Sequence, residues 1–121
     1  VFNLNIDTGE IIMTTGDTGE IPFRISGFDF ANVDYRVVFC ARNRGKKIKE
    51  EYYTLDENGR FLVSIVNSDT DQIPGPATCY YDVTVVVDPV FNQGGKIIDG
   101  SFVRTLIRPT RMTIRSAERM I

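Results

Sequence analysis

Apolar positions alternate with period two along most of this chain. Phe2, Leu4 and Ile6 fall on one face of a short opening strand, and Ile21, Phe23 and Ile25 share a face further on. Tyr35, Val37, Phe39 and Ala41 alternate with Arg36, Val38, Cys40 and Arg42; Phe61, Val63 and Ile65 follow, then Tyr81, Val83, Val85 and Val87. Alternation of this kind, rich in β-branched and aromatic residues, predicts half-buried strands. No comparable stretch carries a helical stripe before the last nine residues.

Turn residues stand where these strands should end. Asn43-Arg44-Gly45 separates the third strand from a charged run, Lys46 through Tyr53. Asp56-Glu57-Asn58-Gly59 is expected to close a hairpin from that run into the strand after Arg60, since Asn-Gly suits a turn whose two central residues both take positive φ. Pro74-Gly75-Pro76 halts the chain before the strand from Cys79 to Asp88, and Asn92-Gln93-Gly94-Gly95 leads into Lys96 to Ile98. About eight or nine strands at this spacing predict an all-β fold, an immunoglobulin-like antiparallel β-sandwich of two sheets forming a single domain over residues 1–121.

Composition narrows the chemistry. The 121 residues are 42% hydrophobic and 25% charged, as in soluble globular domains, and no apolar run is long enough for a membrane-spanning helix. Two cores in this length are not expected, because independent cores need about 60 residues each. The chain has no His, which removes every Ser-His and Cys-His nucleophile pair and most catalytic zinc sites. Cys40 and Cys79 are the two thiols. Cys79 shares a face with Tyr81 and Val83, whereas Cys40 lies opposite Val37 and Phe39, so parity predicts two free thiols with Cys40 turned away from the core; a bulge would be needed to bridge them. Free thiols suit a reducing cytoplasm.

Two motifs invite a catalytic or metal reading. Asp-Thr-Gly occurs at Asp7-Thr8-Gly9 and again at Asp17-Thr18-Gly19, the triplet with which aspartic proteases present paired carboxylates. Asp7 stands too near the start for a preceding strand pair, and Glu10 and Glu20 occupy positions where those enzymes use a small residue. Both triplets therefore read as Asp-Gly turns. Asn67-Ser68-Asp69-Thr70-Asp71 spaces oxygen ligands as calcium loops do but lacks the Gly and the closing Glu, so it reads as a capped turn. No catalytic residue, cofactor or metal site is assigned.

Charge is distributed unevenly. Residues 1–100 hold 9 basic and 15 acidic side chains, net −6, whereas residues 101–121 carry Arg104, Arg108, Arg111, Arg115 and Arg119 against Glu118, net +4. The arginines lack the interleaved aromatics that stack bases, so nucleic acid is not expected as a partner; oppositely charged ends that orient docking copies or partners are. Met112 and Ile114 alternate with Thr113 and Arg115 as a last strand would. The run Lys46-Lys47-Ile48-Lys49-Glu50-Glu51 reads as a solvated edge strand, its charges discouraging edge-to-edge pairing. Lys46, Lys47, Lys49, Arg104, Arg108, Arg111 and Arg115 are the candidate interface residues.

Four stretches taken together resemble a known family. These are Thr15-Gly16-Asp17-Thr18 before Ile21-Pro22-Phe23-Arg24-Ile25; Tyr35-Arg36-Val37-Val38-Phe39; Asn67 through Pro74; and Tyr80-Tyr81-Asp82-Val83 with Gly95-Lys96-Ile97-Ile98-Asp99-Gly100. Their order is similar to that in the N-terminal domain of upper baseplate proteins and related tail-module proteins of phages and prophages of Gram-positive bacteria. The resemblance spans residues 11 to 115. It departs at Pro74-Gly75-Pro76-Ala77, where the family usually has Pro-Gly directly before the Tyr strand. It implies a non-enzymatic virion part, made in the bacterial cytoplasm, that docks on tail or baseplate proteins and assembles in several copies without membrane insertion. Family members often continue through a helical linker into a second domain, so residues 113–121, with Ile114, Ala117 and Ile121 on one face, are expected to begin that helix. An alternative reading is a monomeric immunoglobulin-like module that binds a ligand or glycan; it would call for a Cys40–Cys79 bridge and an exposed platform of Tyr52, Tyr53 and Tyr80.

Overall fold

A computed structural model describes residues 2–27, 32–73 and 75–116. The fold is all-β, with ten strands and one helical turn: β1 (Phe2–Leu4), β2 (Ile11–Thr14), β3 (Gly19–Arg24), β4 (Tyr35–Asn43), β5 (Lys46–Tyr53), β6 (Arg60–Ile65), α1 (Asn67–Thr70), β7 (Ala77–Val87), β8 (Val90–Phe91), β9 (Ile97–Asp99) and β10 (Phe102–Arg115). Six strands form one sheet in the order β1-β2-β10-β7-β4-β5; β3 pairs with β6, and β8 with β9. Among the described residues no helix is long and apolar enough to cross a membrane.

The core lies between the inward face of the six-stranded sheet and the β3–β6 ladder. Ile11, Met13, Val37, Phe39, Ala41, Cys79, Tyr81, Val83, Met112 and Ile114 come from the large sheet, and Ile21, Phe61, Val63 and Ile65 from the small ladder. Rings bridge the two. Phe23 of β3 stacks on Phe61 at 5.0 Å and reaches Phe39 and Tyr81 across the core, each at 6.1 Å. Edge-to-face and offset contacts of this kind add about 0.5–1.5 kcal/mol per pair beyond area burial.

Several expectations are corrected. Among the described residues three sheets form instead of two, and the large one is not wholly antiparallel, since β10 runs parallel to β2 (Met112 beside Ile11, Ile114 beside Met13). Strands joined by a two-residue turn must be antiparallel, but β2 and β10 are separated by most of the chain, so no turn dictates their sense. The 56–59 turn forms, yet it does not join hydrogen-bonded partners. The strand after it, β6, pairs with β3 because Phe61, Val63 and Ile65 must face β4 and β7 across the core, while β5 stays beside β4. Gly59 has φ +75° and Asn58 does not take positive φ, so this is not the mirror-image turn expected from Asn-Gly. The Asp56 carboxylate instead accepts from the N–H groups of Asn58 (2.8 Å) and Arg60 (2.9 Å). A side chain on Gly59 would collide with the Ile25 carbonyl.

Ile6 leaves the opening strand and is 90% exposed. Thr113–Arg115 belong to β10, which rules out a helix starting there; residues 117–121 lie outside the described residues. Cys40 does point away from the main core, but it is only 2% exposed. The β8–β9 hairpin covers that outer face. Tyr52, in register with Val38, accepts the Ile97 N–H at 2.9 Å and packs on Phe91 at 6.2 Å, while the Arg36 guanidinium lies 5.4 Å from the Phe91 ring centre. Both thiols are free, and burial pushes both above the ordinary thiol range.

The Tyr81 hydroxyl donates to the Gly9 carbonyl and ties the 5–9 loop to the large sheet. Tyr81→Phe should lower stability by about 1 kcal/mol, the net worth of a part-buried hydrogen bond. Urea unfolding measures it, and amide exchange in the loop should rise with it.

Candidate docking interface

The candidate cations occupy two strands that border open ground. β5 is the last strand of the large sheet, with no strand partner beyond it among the described residues. Lys46 and Lys47 are exposed there, but Lys49 is not: its side chain is 6% exposed and its Nζ is held by Asp69 (3.0 Å) and Glu51 (2.8 Å). A bulge between Ala41 and Arg42 sets this up, since Ala41 of the core faces Lys49 while Arg42 faces Lys47 on the outer side. Lys47 is paired with Glu50. Surface access on this edge therefore belongs to Lys46 and Lys47.

β10 is flanked by β7 along its length and by β2 only from Met112 to Arg115. Between Phe102 and Arg111 its second edge has no strand partner among the described residues. Arg104, Arg108, Arg111 and Arg115 are all exposed, and none forms an ion pair with a described residue. They do not share one face. Arg104 lies opposite Val85 and Arg111 opposite Tyr80, and register irregularities on either side of Ile107 intervene. Lys47, Arg42, Tyr80 and Arg111 fall at one level across β5, β4, β7 and β10, with Tyr80 47% exposed between two arginines. The sequence concealed this row because its members come from four strands.

Other candidates resolve into structural roles. The two Asp-Thr-Gly segments flank opposite ends of β2, so one chain does not pair their carboxylates. The Asn5 side-chain oxygen accepts from the N–H groups of Asp7 and Thr8, and the Asp17 carboxylate accepts from the Thr14 N–H, as turns do. The 67–71 segment is α1 and its cap: Asp69 accepts from the Val66 N–H at 2.8 Å, and the Thr70 hydroxyl, 1% exposed, accepts from the Gly16 N–H at 2.9 Å. Among the described residues no three Cys or carboxylate side chains converge on a metal position. Tyr52 and Tyr53 are half-buried on opposite faces of β5, the latter donating to Glu51 at 2.6 Å and packing on Phe61 at 5.2 Å; with Tyr80 on another strand, they make no common platform.

The buried lysine makes the β5 edge sensitive to pH. Burial opposes the charge on Lys49, but hydrogen bonds to Glu51 and Asp69 outweigh it and hold the ammonium above its usual 10.5. Burial likewise opposes ionisation of Glu50 and Glu51, and hydrogen bonds from Lys47 and Tyr52, and from Lys49 and Tyr53, leave both below the usual 4.5. Depressed carboxylates stabilise the fold above their unfolded value and cease to do so as pH falls through the folded one; the raised lysine loses its contribution as pH rises past about 10.5. Thermal stability should thus fall in the acid carboxylate range and again at strongly alkaline pH, and Glu51→Gln should flatten the acid limb. Lys49→Met should cost about 2 kcal/mol, below the 3–5 of a fully buried broken pair because Asp69 keeps some solvent.

Compared with protein-family models, with curated proteins and with solved structures, the chain matches none.

Proposed function

We propose that this chain is a non-enzymatic docking module, an immunoglobulin-like β-sandwich whose second layer is the β3–β6 ladder and whose strand edges engage neighbouring proteins. One observation carries the reading: Arg104, Arg108 and Arg111 are exposed on a stretch of β10 whose second edge has no strand partner among the described residues, and none of them forms an ion pair with a described residue. Internal pairing would use such charges for stability. Exposed on an edge strand and not paired to a described carboxylate, they are available to a partner. The tail or baseplate of a phage or prophage is the setting that the motif order implies, with copies arranged around a hub in the virion. The acidic bias of residues 1–100 against the basic bias of residues 101–121 favours docking of unlike surfaces.

The monomeric ligand-binding alternative draws less support, because the two features that would favour it, a Cys40–Cys79 bridge and a platform of Tyr52, Tyr53 and Tyr80, are not formed. Light scattering after size exclusion, at about 50 mM and about 500 mM salt, tests self-assembly, since screening lengths shrink severalfold over that range. A closed oligomer that loosens with salt is the expected result. A monomer at both concentrations overturns assembly through the charged surfaces.

A further inference from the structure

The open stretch of β10 ends beside a cleft. Leu4, Ile21, Phe23, Tyr81, Ile107 and Thr110 line a recess of about 360 Å³ between β3, the 5–9 loop and the β10 edge. It lies where β2 would continue if that strand ran on past Ile11 along β10. The surroundings are apolar at the floor, and Val103 on the neighbouring edge is 61% exposed. Pro109 has no N–H, and the Arg108 carbonyl accepts from the Thr110 hydroxyl at 2.8 Å, so pairing along this edge is confined to the stretch from Val103 to Arg108, within which the strand's register shifts next to Ile107.

We propose that this edge takes an extended, acidic segment of a partner polypeptide as an added strand, in line with β2, with an apolar side chain of the segment seated in the cleft. Main-chain hydrogen bonds would supply affinity, and the cleft and arginines would supply the choice of partner. The occupant follows from charge. Arg104 and Arg108 bracket the edge, are exposed and form no ion pair with a described residue, so carboxylates of an incoming strand would pair with them. A second copy pairing through the same edge would bring arginines against arginines, and the bulge near Leu106 further guards against that. Asp7 also lines the cleft, so the residue entering there is expected to be apolar, with the acids toward Arg104 and Arg108. The inference rests on the docking reading but not on self-assembly.

The test is fluorescence anisotropy with a labelled synthetic peptide alternating Glu with Val and ending in Leu. A Lys-for-Glu counterpart and a thymidine oligonucleotide serve as comparison probes. The acidic peptide should bind saturably, and the double variant Arg104→Glu, Arg108→Glu, both at exposed positions, should weaken it about tenfold or more. Bound peptide should slow amide exchange within 103–108. Equal binding of the Lys peptide, stronger binding of the oligonucleotide, affinity unchanged by the double reversal, or protection confined to another strand would each overturn the proposal. Native mass measured in parallel separates the two readings. An oligomer that ignores the acidic peptide overturns the strand site and leaves the docking module; a monomer that binds it supports the strand site and removes self-assembly.

Discussion

A two-stranded ladder is not stable by itself in water, and β3–β6 is such a ladder. Its place depends on a set of rings. Phe23 and Phe61 stack within the ladder, and Phe23 also meets Phe39 and Tyr81 of the large sheet, which stack on each other at 5.4 Å. Closing one layer on the other in this way removes Ile21, Val63 and Ile65 from water and covers the inner faces of β4, β7 and β10. The loops follow from that closure: the Tyr81 hydroxyl reaches the Gly9 carbonyl, and Thr70 receives the Gly16 N–H.

A second, smaller layer acts on the opposite face. The β8–β9 hairpin is anchored there by Tyr52, which lies in register with Val38, and by the Arg36–Phe91 contact. It covers only part of the outer surface. The remainder carries the Lys47, Arg42, Tyr80 and Arg111 row, where Arg42 is balanced by Asp82 and Lys47 by Glu50. The large sheet therefore buries its core residues on one side and is partly covered on the other, while the exposed arginines of β10 form no ion pair with a described residue.

That distribution gives the docking proposal its physical content. Edge strands with free backbone groups invite pairing, and irregular, cationic edges resist pairing with their own kind. β5 resists through surface lysines and a lysine drawn inward to Asp69. β10 resists through arginines, a proline and two register irregularities, yet keeps an apolar recess beside it. The first arrangement stabilises the protein; the second leaves an unsatisfied surface.

The period-two pattern by itself determined that this protein is all-β, where β3, β4, β6 and β7 lie, and that Lys46 through Tyr53 is an edge, because alternation is a local property of a pleated strand. Turn chemistry likewise marked 43–45, 56–59 and 92–95, and the reading of the 67–71 segment as a turn agrees with the one-turn helix found there. Pairing is not local. Which strand lies beside β2, why β6 leaves β5 for β3, and how Lys49 comes to be buried all depend on contacts between residues far apart in sequence. Face parity turned Cys40 away from the main core, but its burial depends on neighbours from other strands, among them Lys47 and Glu50 of β5 and Asp82 of β7. The arginine series was visible in the chain; its division between two faces and its neighbouring cleft were decided by bulges and by layer packing, which no periodicity encodes.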